Sequence, residues 1–255
     1  MVRLGKKKRA IVSGSAQDHH YQLMHAHQTP THASMKKIEY DPAENTHRTM
    51  SIWEALAICE SISDSSDPDF ELGNMYHGYQ TAESLRSCYP DQPWLPLVGL
   101  IHDVGKILLS FGEPEWAVFG DTHVLDLPSP DCLLGGTTGF PPRTFRVYDE
   151  GCGVDELLLS WGHDEYLYQV LLANKTLLPP IALRIIRYHS FYPWHCDGAY
   201  ERFANQEDRL ELLPWLKIFS SHDLYSKSEK VPDVQALRPY YEKLAQIYLP
   251  DSMIW

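Results

Sequence analysis

Positive charge is scarce in this chain: 22 Lys and Arg stand against 34 Asp and Glu, for a formal net charge of −12. That balance repels a phosphate backbone, so no nucleic-acid partner is expected. Long apolar runs are also missing. No stretch approaches the roughly 20 residues that span a bilayer, and the opening MVRLGKKKRAIVSGS lacks the apolar core of a signal peptide. No membrane partner is expected, and the chain reads as cytoplasmic. Cys59, Cys88, Cys132, Cys152 and Cys196 form no Cys-x-x-Cys motif and are odd in number, which fits reduced thiols rather than a disulfide framework. Strand-like alternation is scarce, and βαβ units, internal repeats and low-complexity tracts are absent. What remains is an all-α fold class.

Apolar content and histidine, by contrast, are plentiful. A chain of 255 residues with 44% hydrophobic content can bury a substantial core. Residues 1 to about 20 are polar and carry Lys6, Lys7, Lys8 and Arg9; they read as a mobile tail, leaving 21–255 as a single helical domain, expected to be a monomer. Ser51-Ile-Trp-Glu54 has the spacing of a capping box and predicts a helix start. A helix is predicted from Met75 to Tyr89, closed by Pro90 and Pro93. LPLVGLIHDVGKILLSFG is apolar on nearly every side, which predicts one central helix whose His102, Asp103 and Lys106 must be satisfied internally. Residues 120–153 are rich in Pro and Gly and predict a long functional loop. Helical spacing resumes at Val154, with Asp155 as a possible cap, and runs through WGHDEYLYQVLLANK with an irregularity at Gly162. Pro179-Pro180 starts a helix over IALRIIRYHS that Pro193 stops after Tyr192, Pro214 can start another, and PDVQALRPYYEKLAQIYLP adds a last amphipathic stretch.

Thirteen histidines matter because neutral imidazole is the commonest side-chain metal ligand near neutral pH. Three His-Asp dipeptides occur: His102-Asp103, His163-Asp164 and His222-Asp223. Such a dipeptide arises by chance in an acidic, His-rich chain, but His102-Asp103 lies inside the most apolar segment. Neighbouring helical residues point about 100° apart, so both reach one ion only if it sits close to the helix. His19, His20, His25, His27 and His32 are the densest histidine cluster, yet their polar surroundings favour solvation or local hydrogen bonds over metal. His123, His195 and His222 are given no ligand role, Asp164 is assigned to orienting a histidine or facing polar groups, and the aromatics around FYPW to packing.

The segments LMHAHQT, HGYQTAE, LVGLIHDVGK, FGEPEWAVFGDT, LLSWGHDEYLYQV, RYHSFYPWH, LLPW, DLYSK and DVQALRPYY follow one another in an order and spacing that resembles the inositol oxygenase family, from about Tyr21 to Trp255. SWGHDEY and HSFYPWH are the most specific of these strings. The resemblance implies a single-domain HD-domain helical bundle that converts myo-inositol and O2 to D-glucuronate and water with a mixed-valent Fe(II)/Fe(III) pair of irons. It implies His77, His102, Asp103, His163, His189 and Asp223 as metal ligands. Asp103 would bridge the irons, with His77, His102 and Asp223 completing one site and His163 and His189 the other. Lys106, Asp121, Ser190 and Lys227 fall on polyol-contacting positions, with Lys106 and Asp103 nearest the chemistry, and Asp64, Ser66 and Asp67 match a substrate-enclosing segment. If each iron is six-coordinate and one hydroxide bridges them, the first site keeps one open position, suited to O2. The second keeps two, suited to a vicinal diol. Absence of nearby thiolates argues against a structural zinc or an iron–sulfur site.

The resemblance breaks at two places. The amino-terminal segment that supplies a substrate-contacting arginine in the animal enzymes has no clear counterpart beyond Arg9, and the loop between Asp121 and Asp155 is shorter. Two other functions fit parts of the pattern. An HD-domain phosphohydrolase uses His, His-Asp and Asp in the order of His77, His102-Asp103 and Asp223, but this chain places few basic residues for phosphate. A non-catalytic helical binding protein would have little reason to keep all six ligands.

Overall fold

The most apolar stretch of the chain becomes the axis of the fold. The computed structural model describes residues 14–42, 44, 48–62, 74–125, 127, 130, 148–225 and 231–255. Helix α5 (Trp94–Ile101) is buried at every position. Around it lie α1 (Ala16–His27), α2 (Pro30–Glu39), α3 (Ile52–Cys59), α4 (Asn74–Cys88), α6 (His163–Ala173), α7 (Pro180–Tyr188), the short α8 (Tyr192–His195), α9 (Leu213–Tyr225) and α10 (Val234–Tyr248). A two-stranded antiparallel ribbon, β1 (Thr49–Met50) with β2 (Met253–Ile254), pairs Thr49 with Ile254 and Met50 with Met253. The expected all-α class holds among the described residues.

The central helix differs from expectation. The α-helix closes with His102, still at φ −53° and ψ −33°, and Val104–Phe111 continues as a 3-10 helix whose amino-terminal flank, Asp103, has φ −93° and ψ −1°. Asp103 thus sits near the sparsely populated bridge region common at functional sites. The break lets the imidazole of His102 and the carboxylate of Asp103, adjacent in sequence, reach one cluster.

Two close backbone approaches set the positions of the surrounding elements. A Cβ on Gly78 of α4 would lie 2.6 Å from the Leu100 carbonyl oxygen, so α4 and α5 touch backbone to backbone. A Cβ on Gly105 would lie 1.9 Å from the carbonyl oxygen of His163, which seats the first residue of α6 directly on the 3-10 segment. Side chains of Leu95, Leu97, Leu100, Ile101 and Ile107 fill the principal core, and a second apolar cluster around Val154, Leu159, Phe191, Trp194 and Phe203 supports the chain leading into α6 and α8.

Local signals place several ends correctly. Ser51 and Glu54 form the reciprocal capping box at α3, and Pro180 opens α7. Others need correction. Helix α1 reaches back to Ala16, so the stretch read as tail up to residue 20 is helical from there; residues 1–13 lie outside the described residues. Val154–Glu156 is an isolated 3-10 turn flanked by Gly153, and Asp155 pairs with Arg184 and Arg187 instead of capping. The chain then runs extended, with Leu159 bridged to Val124, until Gly162 flanks α6. Helix α7 ends at Tyr188, and Pro193 lies inside the first turn of α8, where its missing N–H costs nothing, rather than stopping a longer helix.

Candidate metal centre

Five elements deliver six side chains to one buried point. His77 comes from α4, His102 and Asp103 from the break after α5, His163 from the first residue of α6, His189 from the end of α7 and Asp223 from α9. All six are buried. The Nε2 of His77 lies 2.7 Å from Asp223 Oδ1, and the Nε2 of His102 lies 3.4 Å from that oxygen and 3.5 Å from Asp103 Oδ2. On the other side, the Nε2 atoms of His163 and His189 stand 3.1 Å apart and 3.3 and 3.7 Å from Asp103 Oδ1. Asp103 therefore turns one oxygen toward His102 and the other toward His163 and His189. Two groups, His77/His102/Asp223 and His102/Asp103/His189, each hold their ligand atoms within 4.8 Å of one another.

Hydrogen bonds on the far edges of the rings decide what the near edges present. His102 Nδ1 donates to the Gly99 carbonyl at 2.8 Å, His163 Nδ1 to the Val118 carbonyl at 2.7 Å and His189 Nδ1 to the Ile186 carbonyl at 2.7 Å. A carbonyl only accepts, so each Nδ1 carries a proton, and in the neutral ring Nε2 presents a lone pair inward. Lone pairs of three imidazoles and two carboxylates then converge in a dry interior, an arrangement that repels itself unless protons or cations lie between them. The titration of the same groups follows from this. Burial opposes charge on His102, yet Asp103 and Asp223 outweigh it and raise its pKa. Burial lowers His189. Burial works against the Asp103 carboxylate, but Lys106 and the surrounding imidazoles hold it well below the usual range, and His102 and His77 do the same for Asp223. The donor set, nitrogen and carboxylate oxygen with no thiolate in either group, fits a first-row transition metal.

A polar wall adjoins the cluster. Lys106 Nζ donates to Asp103 Oδ2 at 2.9 Å and reaches Asn74 Oδ1 at 3.5 Å. Asp121 is buried and accepts from the Tyr21 hydroxyl at 3.3 Å, while Ser190, directly after His189, is buried and accepts the Thr122 N–H with its carbonyl. Tyr192 donates its hydroxyl to Asp223 Oδ2 at 3.0 Å, and burial together with Asp223 pushes its pKa well above the ordinary tyrosine value. His195 Nε2 donates to the carbonyl of His189 at 3.0 Å. Lys227, Asp64, Ser66 and Asp67 lie outside the described residues.

Packing, expected for FYPW, holds for Phe191 and Trp194 but not for the hydroxyl of Tyr192, whose place three residues after His189 is the only sequence hint of its contact with Asp223. Asp164 accepts from the Thr122 hydroxyl at 2.6 Å and from its neighbour's N–H, so it faces polar groups and bonds no histidine in these contacts. Of the amino-terminal histidines only His20 is buried, stacked on Phe119; His19 and His27 are exposed, as solvation predicts, while His25 lies half-buried against His123 and His32 against Trp116. His222 bonds Ser84 at 2.6 Å, facing away from its neighbour's role.

Comparison with known proteins points the same way. A sequence model of the family described as myo-inositol oxygenase matches residues 15–134 and 142–255. The chain is 42% identical over 250 residues to an inositol oxygenase of Mus musculus, covering 92% of this chain and 85% of that protein. It is 40% identical over 245 residues to an inositol oxygenase of Danio rerio, covering 92% and 87%. A probable inositol oxygenase of Oryza sativa subsp. japonica is 43% identical over 247 residues, covering 92% and 79%.

Proposed function

The chain belongs to the myo-inositol oxygenase family, and from that premise we propose that it is an inositol oxygenase that opens the ring of myo-inositol with O2 to give D-glucuronate and water, using two irons of mixed valence. The observation that carries the reading is the inward convergence of imidazole Nε2 and carboxylate oxygen atoms from His77, His102, Asp103, His163, His189 and Asp223. We assign Asp103 as the bridge, because its two oxygens face different histidines. His77, His102 and Asp223 would complete one site, and His163 and His189 the other. Bound iron supplies the redox chemistry that dioxygen requires and the Lewis acidity that makes a neutral polyol easier to deprotonate.

The protein's own part is binding, orientation and exclusion of water. Backbone carbonyls of Gly99, Val118 and Ile186 fix the ligand tautomers before any metal arrives. Lys106 holds a positive donor beside Asp103, where it can hydrogen-bond a polyol oxygen and stabilise charge that develops there. Asp121 accepts from a second hydroxyl, with Tyr21 keeping one of its oxygens in place. Ser190 offers a third contact beside His189, and Lys227, Asp64, Ser66 and Asp67 are assigned to enclosing the substrate. The protein is further proposed to act as a cytoplasmic monomer.

Oxygen uptake by iron-loaded protein supplied with myo-inositol is the test. One O2 consumed per inositol, with no product under anaerobic conditions, is the expected outcome. Anaerobic release of phosphate from a phosphate ester, with no oxygen uptake, would instead establish the phosphohydrolase chemistry that the same histidine and aspartate order can support.

A further inference from the structure

We propose that Tyr192 is a positioning residue that makes Asp223 a one-oxygen metal ligand. The inference rests on the metal-site reading above and deepens it. Asp223 uses its two oxygens differently: Oδ1 lies 2.7 Å from His77 Nε2 and 3.4 Å from His102 Nε2, whereas Oδ2 accepts the Tyr192 hydroxyl at 3.0 Å. A carboxylate free of such a donor can chelate a cation through both oxygens and fill two coordination positions. Here the phenol donates to Oδ2, which weakens that oxygen as a donor to a cation, so Oδ1, the oxygen facing His77 and His102, would be the one to bind metal. One coordination position is thereby kept from being taken by the protein itself.

The segment carrying Tyr192 is built to hold that hydroxyl still. His189 supplies an inward Nε2 at the end of α7, and the next turn begins at Tyr192. Phe191 and Trp194 anchor the turn in the second apolar cluster. The imidazole of His195 donates back to the His189 carbonyl at 3.0 Å, closing the loop that joins the ligand to the tyrosine. One short stretch therefore presents its own ligand and orients a second one from α9, 31 residues further along the chain. Outer hydrogen-bond partners of ligands commonly change metal affinity about 10–100-fold when removed.

Tyr192→Phe removes the hydroxyl and keeps the ring. Iron affinity is measured by chelator competition, and the Asp223 carboxylate stretches are read from infrared difference spectra of loaded against metal-free protein, the band being identified by its loss in Asp223→Asn. The wild-type protein should show the wide splitting of a one-oxygen ligand. Tyr192→Phe should show the narrow splitting of a chelate and iron retention changed by about tenfold. In an Asp223→Asn background the same substitution should cause no further change, because its effect runs through Asp223. Wild-type splitting and retention in Tyr192→Phe, or an undiminished change in the double variant, would overturn the proposal. Full retention of both irons by Asp223→Asn would instead overturn the metal-site reading on which it stands.

Discussion

Asp103 is the residue on which the two halves of the cluster depend, since His163 and His189 face its Oδ1 while His102 and Lys106 face its Oδ2. Under the proposed assignment, replacing it with alanine removes a shared ligand from both sites and takes the carboxylate away from Lys106. Loss of an outer partner alone costs about 10–100-fold, so Asp103→Ala should lower O2-dependent turnover by more than about 100-fold, with helicity by circular dichroism unchanged; wild-type turnover would contradict the bridging assignment. His123 gives a residue-scale prediction about pH. Burial, with help from His25, lowers its pKa from 6.5 to about 3. Between those values the unfolded chain binds a proton that the folded chain refuses, so stability present above pH 6.5 is lost as pH falls through the window. His123→Gln should flatten that fall by at most about 1.4 kcal/mol per pH unit, read from urea midpoints at successive pH values. The six converging side chains are legible through the resemblance, which SWGHDEY and HSFYPWH carry most specifically. Tyr192 is not, because a tyrosine in an aromatic run looks the same whether its hydroxyl meets solvent or a carboxylate.

At the scale of elements, position is set by contacts that sequence patterns carry poorly. Gly105 lies where any side chain would strike the His163 carbonyl, so Gly105→Ala should displace the start of α6. Overpacking against a backbone that cannot rotate away typically costs about 1–3 kcal/mol; a lower melting temperature together with loss of one iron equivalent is expected. An ion-pair tie joins α6 to α7 and α2: Glu165 pairs with Arg187 at 2.7 Å and with Lys37 at 2.9 Å. Burial alone would raise the Glu165 pKa, but Arg187 and Lys37 lower it below 4.5. Its contribution is therefore present above the unfolded pKa and disappears as pH falls through the folded one. Glu165→Gln should destabilise the protein by about 2 kcal/mol at pH 7, with the difference shrinking below pH 4 in denaturant melts. Capping residues such as Ser51 and Pro180 revealed helix starts because their chemistry is local. The break at His102-Asp103 was hidden because LIHDVGKILL is uniformly apolar on both sides, and periodicity does not separate an α-helix from a 3-10 continuation when every face is buried.

Across the whole molecule, the helices converge on a cluster that is electrostatically strained when only protons separate its donors. Metal should therefore stabilise the entire fold: at 100 times the dissociation constant, binding adds about 2.7 kcal/mol, which for a chain of this size corresponds to a melting-temperature rise of about 5–10 °C. Stripping metal with a chelator should reverse it, and readdition restore it. The all-helical class was legible from the absence of strand patterns, whereas the meeting of His77, His163 and Asp223 was accessible only through resemblance, since 86 and then 60 residues separate them in the chain. Anomalous diffraction at the iron edge, from crystals of the loaded protein, tests the central claim most directly. Two peaks are predicted, one among His77, His102, Asp103 and Asp223 and the other among Asp103, His163 and His189. A single peak, with His163 and His189 bound to no metal, would contradict it.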